Sequence, residues 1–482
     1  MKPTTRQSLT TAFLLGAVLA APTFAQEKSA PAFTAEQLIE RTIQRCAVEA
    51  VIWGMPVVNY DTMFQAMVRD TKAGPGSNKI VYWSRPFGWR NQTLTPNPDT
   101  IYLMPFINTK DSGPMVLEIP PAGEGTIVGS VDDCWQAAIE DVGPAGVDKG
   151  KGGRYLILPP GYQEKVPGGY IAMPSDTWQT YALLRSNIKG QSDAEIAAAV
   201  AYGKQIKLYP LAQAAHPPDT TFIDALDVVF DANIPYDLRF FESLNRMVQS
   251  EPWIRRDMAM IEQLKSIGIV QGKPFQPDAK TREILLSAIT EARAWIDLQY
   301  EALYTLTAEY PGSHWALPAS KELIKATESH FAETHVYPTD GRGVAYSYAF
   351  FGPKHLGAGQ YYLFTIRDKD GNSFDGRSTY RLRVPPDVPV KQYWSVTAYD
   401  RVTHGLIRDT QWSSRSSHTP GLMKNADGSV DLYFAAQPPE GKESNWIPTS
   451  AAGKFEALFR FYGPEKAIFE KTWKLPDIEK VN

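Results

Sequence analysis

A mixed, mainly β fold is predicted, built as two jelly-roll-like antiparallel sandwiches with a helical segment between them. Three features of the sequence predict it. Short β-type runs broken by Pro and Gly clusters fill positions 79–181 and resume after 343, the texture of a sandwich rather than of alternating strands and helices. Between them, 192–310 carries helix caps and apolar residues at a 3.6 period. Aromatic residues make up 12% of the chain, beside 35 Gly and 37 Pro, which suits many short strands joined by tight turns.

The first 25 residues read as a secretory leader. Lys2 and Arg6 precede an apolar run from Thr11 to Ala21, and Thr23-Phe-Ala25 supplies a small-x-small cleavage site. The run is too short to span a bilayer, which takes about 20 apolar residues. The expected location is therefore periplasmic or secreted. Thr34-Ala-Glu-Gln37 is a capping box opening a helix whose apolar stripe includes Ile43, Cys46 and Val51. That helix is expected to end at Gly54, because Pro56 disfavours helical backbone at Met55. This N-terminal helix and sandwich should occupy 26–185, and a helical segment 186–340. Ser192 to Glu195 caps one helix there, and the stretch after Asp278 repeats Leu285, Ala288, Ala292, Ile296 and Leu303 along one face. The second sandwich is placed at 341–465. In Gln392–Tyr399, Trp394, Val396 and Ala398 alternate with Tyr393, Ser395, Thr397 and Tyr399, and in 455–461 Phe455, Ala457, Phe459 and Phe461 point inward with Glu456 and Arg460 outward. Residues 466–482 are left as a tail.

Loss of Lys2 and Arg6 with the leader moves the formal net charge from −4 to −6. A mildly acidic chain gives no support for nucleic-acid binding, and no later segment is apolar enough to span a membrane. Homo-oligomers stay open. The two cysteines, Cys46 and Cys134, match no metal or redox spacing. No G-x-S-x-G elbow occurs. Gly123-Glu-Gly125 and Gly150-Lys151 lack the spacing of dinucleotide and phosphate loops, so no nucleotide cofactor is indicated. No metal site is assigned: His330, Glu333 and His335 do not share one helical face.

Two segments resemble a bacterial family with paired domains of unknown function, 1254 followed by 1214. The first resemblance rests on Tyr82-Trp83, Thr95-Pro-Asn-Pro-Asp-Thr-Ile-Tyr102, Gly113 to Pro120 and Gly153 to Gly161. The second rests on Asp370-Gly371, Phe374-Asp-Gly376, Tyr380, Tyr393-Trp-Ser-Val-Thr-Ala-Tyr-Asp400, Asn425 to Ser429, Asn445-Trp-Ile-Pro448 and Arg460-Phe-Tyr-Gly-Pro464. The resemblance implies two jelly-roll-like domains around helices, and it implies no reaction.

Two clusters are the candidates for chemistry. In the first, Asn97, Asp99 and Tyr102 lie in a Pro-fixed turn, either as an Asx-turn leading into a strand or as polar groups at a sandwich mouth. The second joins Tyr399, Asp400 and Arg401 with Asn445 and Trp446 at strand ends, either lining a pocket or pinning an interdomain seam. An enzyme acting on a small organic molecule or glycan would use Asp99 or Asp400 as acid and base, with Tyr102 or Arg401 stabilising charge. The alternative is a non-catalytic protein binding carbohydrate or another subunit through exposed aromatics. Asp99 is expected to be structural, and Asp400 the better candidate for a pocket. Asp368, Asp370 and Asn372 offer oxygens for calcium, but Gly371 comes one step early for a calcium loop and the bidentate Glu is missing, so a hairpin turn is the better reading.

Overall fold

The capping box at Thr34 and Gln37 forms as read, each side chain receiving the other residue's backbone N–H. The helix it opens runs Ala35–Asp70, straight through Pro56, in a computed structural model that describes residues 32–481 other than 75, 334, 350, 351 and 356–358. The expected stop at Gly54 is therefore corrected. Pro56 lacks the N–H that would bond the Ile52 carbonyl, and a second helix, Thr339–Tyr348, crosses at that point through Gly343. A Cβ at Gly343 would stand 2.7 Å from the Ile52 oxygen, so glycine alone permits this approach. Burial of almost every residue from Ala47 to Asp61 outweighs the proline penalty.

The strands form two sandwiches. In the first, a six-stranded sheet runs in the order Thr221–Asp224, Lys79–Tyr82, Ile101–Asn108, Gln179–Ser186, Ile127–Asp133, Ala138–Val142. Facing it is a sheet of Lys207–Pro210, Met115–Ile119, Gly153–Leu158 and Ile171–Pro174, and Leu103, Leu117, Tyr155 and Leu184 fill the space between. Pairing is antiparallel except at two edges, where Lys79–Tyr82 meets Thr221–Asp224 and Gly153–Leu158 meets Ile171–Pro174. The segment 186–340, read as helical, thus also returns strands to the first sandwich at 207–210 and 221–224. Those runs are four residues each, too short to carry a period of their own.

The second sandwich pairs Gln360–Thr365, Phe455–Pro464, Val390–Asp400 and Ser414–Ser416 in one sheet, and Trp446–Pro448, Val430–Ala435, Tyr380–Val384 and Glu479–Lys480 in the other. Trp394, Val396, Ala398, Phe455, Ala457, Phe459 and Phe461 face its core as the alternation predicts. The tail is part of this domain: Ile468, Leu475 and Ile478 enter the same core, and Glu479–Lys480 pairs with Tyr380 and Arg381.

The helical segment 279–348 lies between the β regions. Its long helix, Ala279–Leu306, is capped by Asp278 and buries Leu285, Ala288, Ile289, Ala292 and Ile296. These residues join a central core with the first helix, with Met104, Phe106, Tyr181 and Leu183 from the back of the six-stranded sheet, and with Tyr399 and Leu458 from the second sandwich. Residues 1–25, read as a leader, lie outside the described residues. Among the described residues no helix is long and apolar enough to cross a membrane.

Candidate functional site

The Thr95–Tyr102 segment leaves the first sandwich and lies against the second. The Asn97 side-chain N–H donates to the Tyr393 hydroxyl at 3.2 Å and the Tyr462 hydroxyl at 2.7 Å. Its backbone N–H donates to the Tyr102 hydroxyl at 2.8 Å, and its side-chain oxygen accepts from the Asp99 N–H at 3.0 Å. Tyr399 donates to the Pro96 carbonyl at 2.7 Å. Arg460 donates to the Thr95 carbonyl at 2.8 Å and to Thr397 Oγ1 at 2.9 Å, and also reaches the Pro96 carbonyl and the Tyr399 hydroxyl. Asn97, Tyr102 and Tyr399 therefore meet in one seam joined by hydrogen bonds.

Asp99 enters the same seam but accepts no backbone N–H there. Its Oδ2 is buried without a hydrogen-bond partner. Burial raises its pKa, and Ser414, Arg460, Ser395 and Arg415 of the second sandwich oppose that shift. Asp400 closes a turn. Its Oδ1 accepts from the Val402 and Thr403 N–H groups at 2.9 Å each, and from the Thr403 hydroxyl at 3.2 Å. Arg401 stacks on Tyr300 at 4.5 Å and lies 3.6 Å from Glu301. Asn445 and Trp446 are not brought to this place. Asn445 bonds the Met423 and Asp431 carbonyls at 2.9 Å, and Trp446 bonds the Ala435 carbonyl and packs on Trp412. Both belong to the opposite sheet of the second sandwich, because the turn before Trp446 feeds a strand beside Val430–Ala435. The constellation expected from Tyr399 to Trp446 is thus split in two. At the hairpin 367–373, Asp368 Oδ1 accepts the Asp370 and Asn372 N–H groups while Asp370 pairs with Lys369. This is the geometry of a turn.

Behind the seam lies a cavity of about 120 Å³, walled by Leu94, Pro318, Leu323, Ile324, Phe364 and Leu458. Its polar lining residues are Thr95, Tyr102, Thr327, Tyr346 and Tyr362, with Arg185 and Arg460. The two arginines are 4% and 2% exposed. They come from different domains: Arg185 lies opposite Tyr102 across the six-stranded sheet, and Arg460 is paired with Tyr362 across the second. Arg185 also sits 5.4 Å over the Tyr102 ring. Burial raises the Tyr346 and Tyr362 phenols above their ordinary 10, so both remain hydroxyl groups at neutral pH.

Sequence reasoning missed both arginines. Alternation with apolar residues puts Arg460 on the outward face. The overlooked signal is that the same face carries Tyr393, Tyr399 and Tyr462, too many large rings for a face turned to water. Also missed was Asp132, at 0% exposure with neither carboxylate oxygen hydrogen-bonded. Its pKa is raised by burial and by the charges of Asp133 and Asp141.

Fold and site together define a two-sandwich protein whose sandwiches and intervening helices line one arginine-bearing cavity. The family described as "protein of unknown function (DUF1254)" matches residues 77–210, and "protein of unknown function (DUF1214)" matches 359–466. The chain belongs to the family that carries these two domains in this order. Its fold is similar to the crystal structure of the VPA0106 protein from Vibrio parahaemolyticus, at TM-score 0.56 and 17% identity, over 91% of this chain and 100% of that one. A Burkholderia cenocepacia protein aligns over 92% of this chain and 94% of its own at TM-score 0.40 and 11% identity. No curated protein matches.

Proposed function

We propose that this is an exported envelope protein that binds a small organic anion with an apolar body in the cavity between its sandwiches. One observation carries the reading: two almost fully buried guanidiniums, one from each domain, line the same apolar cavity. Taking a charged group out of water costs several kcal/mol unless something compensates. The hydrogen bonds of Arg460 go to neutral oxygens, and burial holds the nearby Asp99 carboxyl toward its neutral form, so a carboxylate or similar anion would complete its neutralisation. The cavity is a little smaller than the roughly 150 Å³ apolar cavity that takes a benzene, which limits the apolar body to one small ring or short chain at most. A glycan would need more room and more hydrogen-bonding groups. In this reading Asp400 holds the 400–405 turn, Asp99 lies buried in the seam, and neither serves as acid or base. Export rests on the leader-like residues 1–25.

Thermal-shift measurements with benzoate, hexanoate and the uncharged benzamide test the reading, because a ligand of the native state raises the melting point. The acids should raise it and benzamide should not, and Arg185→Gln should abolish the difference. Equal effects of acid and amide, or none from either acid, would overturn it. Intact-mass analysis of the exported protein tests the leader, with retention of residues 1–25 as the contrary result.

A further inference from the structure

A second group of buried polar residues gathers around His404, whose carbonyl accepts the Thr95 N–H. Glu456, at 0% exposure, accepts the Tyr300 hydroxyl at 2.7 Å and lies 2.8 Å from Nδ1 of His404. Tyr304 donates in turn to Tyr300 at 2.7 Å. Both Glu456 oxygens are thereby used, and the carboxylate fixes the imidazole with its proton on Nδ1. The nitrogen left to serve anything else is Nε2. His404 also lines a cleft of about 90 Å³ with Asn233, Tyr236, Arg293, Ser347 and Thr403. Arg293 stacks on Tyr236 at 4.5 Å and donates to the Val402 carbonyl. Within the same cleft, Asn233 Oδ1 is buried with no hydrogen-bond partner.

The backbone here is unusual. His404 has φ +56° and Thr95 has φ +40°, and the Thr95 N–H donates to the His404 carbonyl at 2.7 Å. A β-branched residue at positive φ is a genuine outlier, and such positions cluster where structure is held for a purpose. The Asp400 turn helps to hold this one, since His404 N–H donates to the Asp400 carbonyl at 2.8 Å.

We infer that the His404 cleft is a second ligand site, for a small oxyanion that still carries an O–H, such as phosphate or a hydroxy acid. Arg293 meets the negative charge. The ligand O–H donates to Asn233 Oδ1 or to His404 Nε2, and a protonated Nε2 donates to a ligand oxygen instead. Glu456 and Tyr300 act as positioning residues that aim the imidazole. Asp297, 4.0 Å from Arg293, Asp231, which accepts the Asn233 side-chain N–H at 2.8 Å, and Arg401, stacked on Tyr300, are further charged groups beside this network.

The test uses the whole protein labelled with ¹⁵N-histidine, inorganic phosphate as probe, and the His404→Gln spectrum to assign His404 among the seven histidines. In the wild type, His404 should show the Nδ1–H tautomer, and phosphate should shift its Nε2 resonance saturably. Arg293 is partly exposed, so Arg293→Gln should fold normally. It should bind phosphate roughly tenfold or more weakly, the order expected on losing a hydrogen bond between charged groups. Its benzoate shift should be unchanged, which separates this site from the larger cavity. A His404 resonance that ignores phosphate, or equal phosphate affinity in Arg293→Gln, would overturn the inference.

Discussion

The six-stranded sheet of the first sandwich and the Val390–Asp400 sheet of the second both bury their two faces, by different means. The back of the first is mainly apolar where helices cover it, through Met104, Phe106, Tyr181 and Leu183, with Arg185 and Asp132 as its buried charged members. The back of the second carries Ser395, Thr397, Glu456 and Arg460, all nearly inaccessible, and is covered by the Thr95–Tyr102 seam and the long helix. An apolar face is satisfied by any surface of matching shape, whereas a polar face can be buried only if its groups find partners individually. The second sheet is thus the more specific of the two, and the more sensitive to loss of single hydrogen bonds.

The largest effect should come from the front of the second sheet, where the two sheets behave alike. Trp394→Ala removes a core indole stacked on Phe459 and should cost about 3–5 kcal/mol in chemical denaturation. A loss below about 1 kcal/mol would mean that this core is not the one described.

Next comes a carboxylate at the start of strand Gln179–Ser186. Glu251 accepts the Trp178 and Gln179 N–H groups at 2.7 and 3.2 Å, yet burial pushes its pKa up to about 7 from 4.5. The folded state then holds the proton more tightly than the unfolded chain. Its contribution to stability is full below about pH 4.5 and is lost as pH rises to about 7, on the order of 3 kcal/mol. Glu251→Gln should flatten the decline in melting temperature between those values. An unchanged slope would assign the pH dependence to other groups.

Asn97→Ala probes the polar back of the second sheet. It strands the Tyr393 and Tyr462 hydroxyls and should cost about 1–3 kcal/mol, the range for leaving buried polar groups unpaired. Tyr399→Phe is the smallest change. It deletes the hydroxyl between Arg460 and the Pro96 carbonyl and should cost about 1 kcal/mol. If Tyr399→Phe were neutral, the contrast between polar and apolar faces would fail. If Asn97→Ala were neutral, the seam would not be what joins the domains.

What the sequence by itself determined is local. The caps at Thr34 and Ser192, the apolar stripe of Ala279–Leu306 and the two-residue alternation around Trp394 depend on neighbours within a few positions, and each formed as read. Sequence also found three members of the seam, Asn97, Tyr102 and Tyr399. It could not say that they meet, because their contacts span about 300 residues. Alternation showed that Glu456 and Arg460 lie opposite the phenylalanines. Whether that opposite face meets water or another domain is not encoded in a period of two. The same limit explains Pro56, whose local penalty was read correctly and then outweighed by packing against a helix almost 300 residues away. Only the tertiary structure brought Arg185 and Arg460 to one cavity and His404 to Glu456, since burial and charge pairing belong to the assembled layers rather than to any one segment.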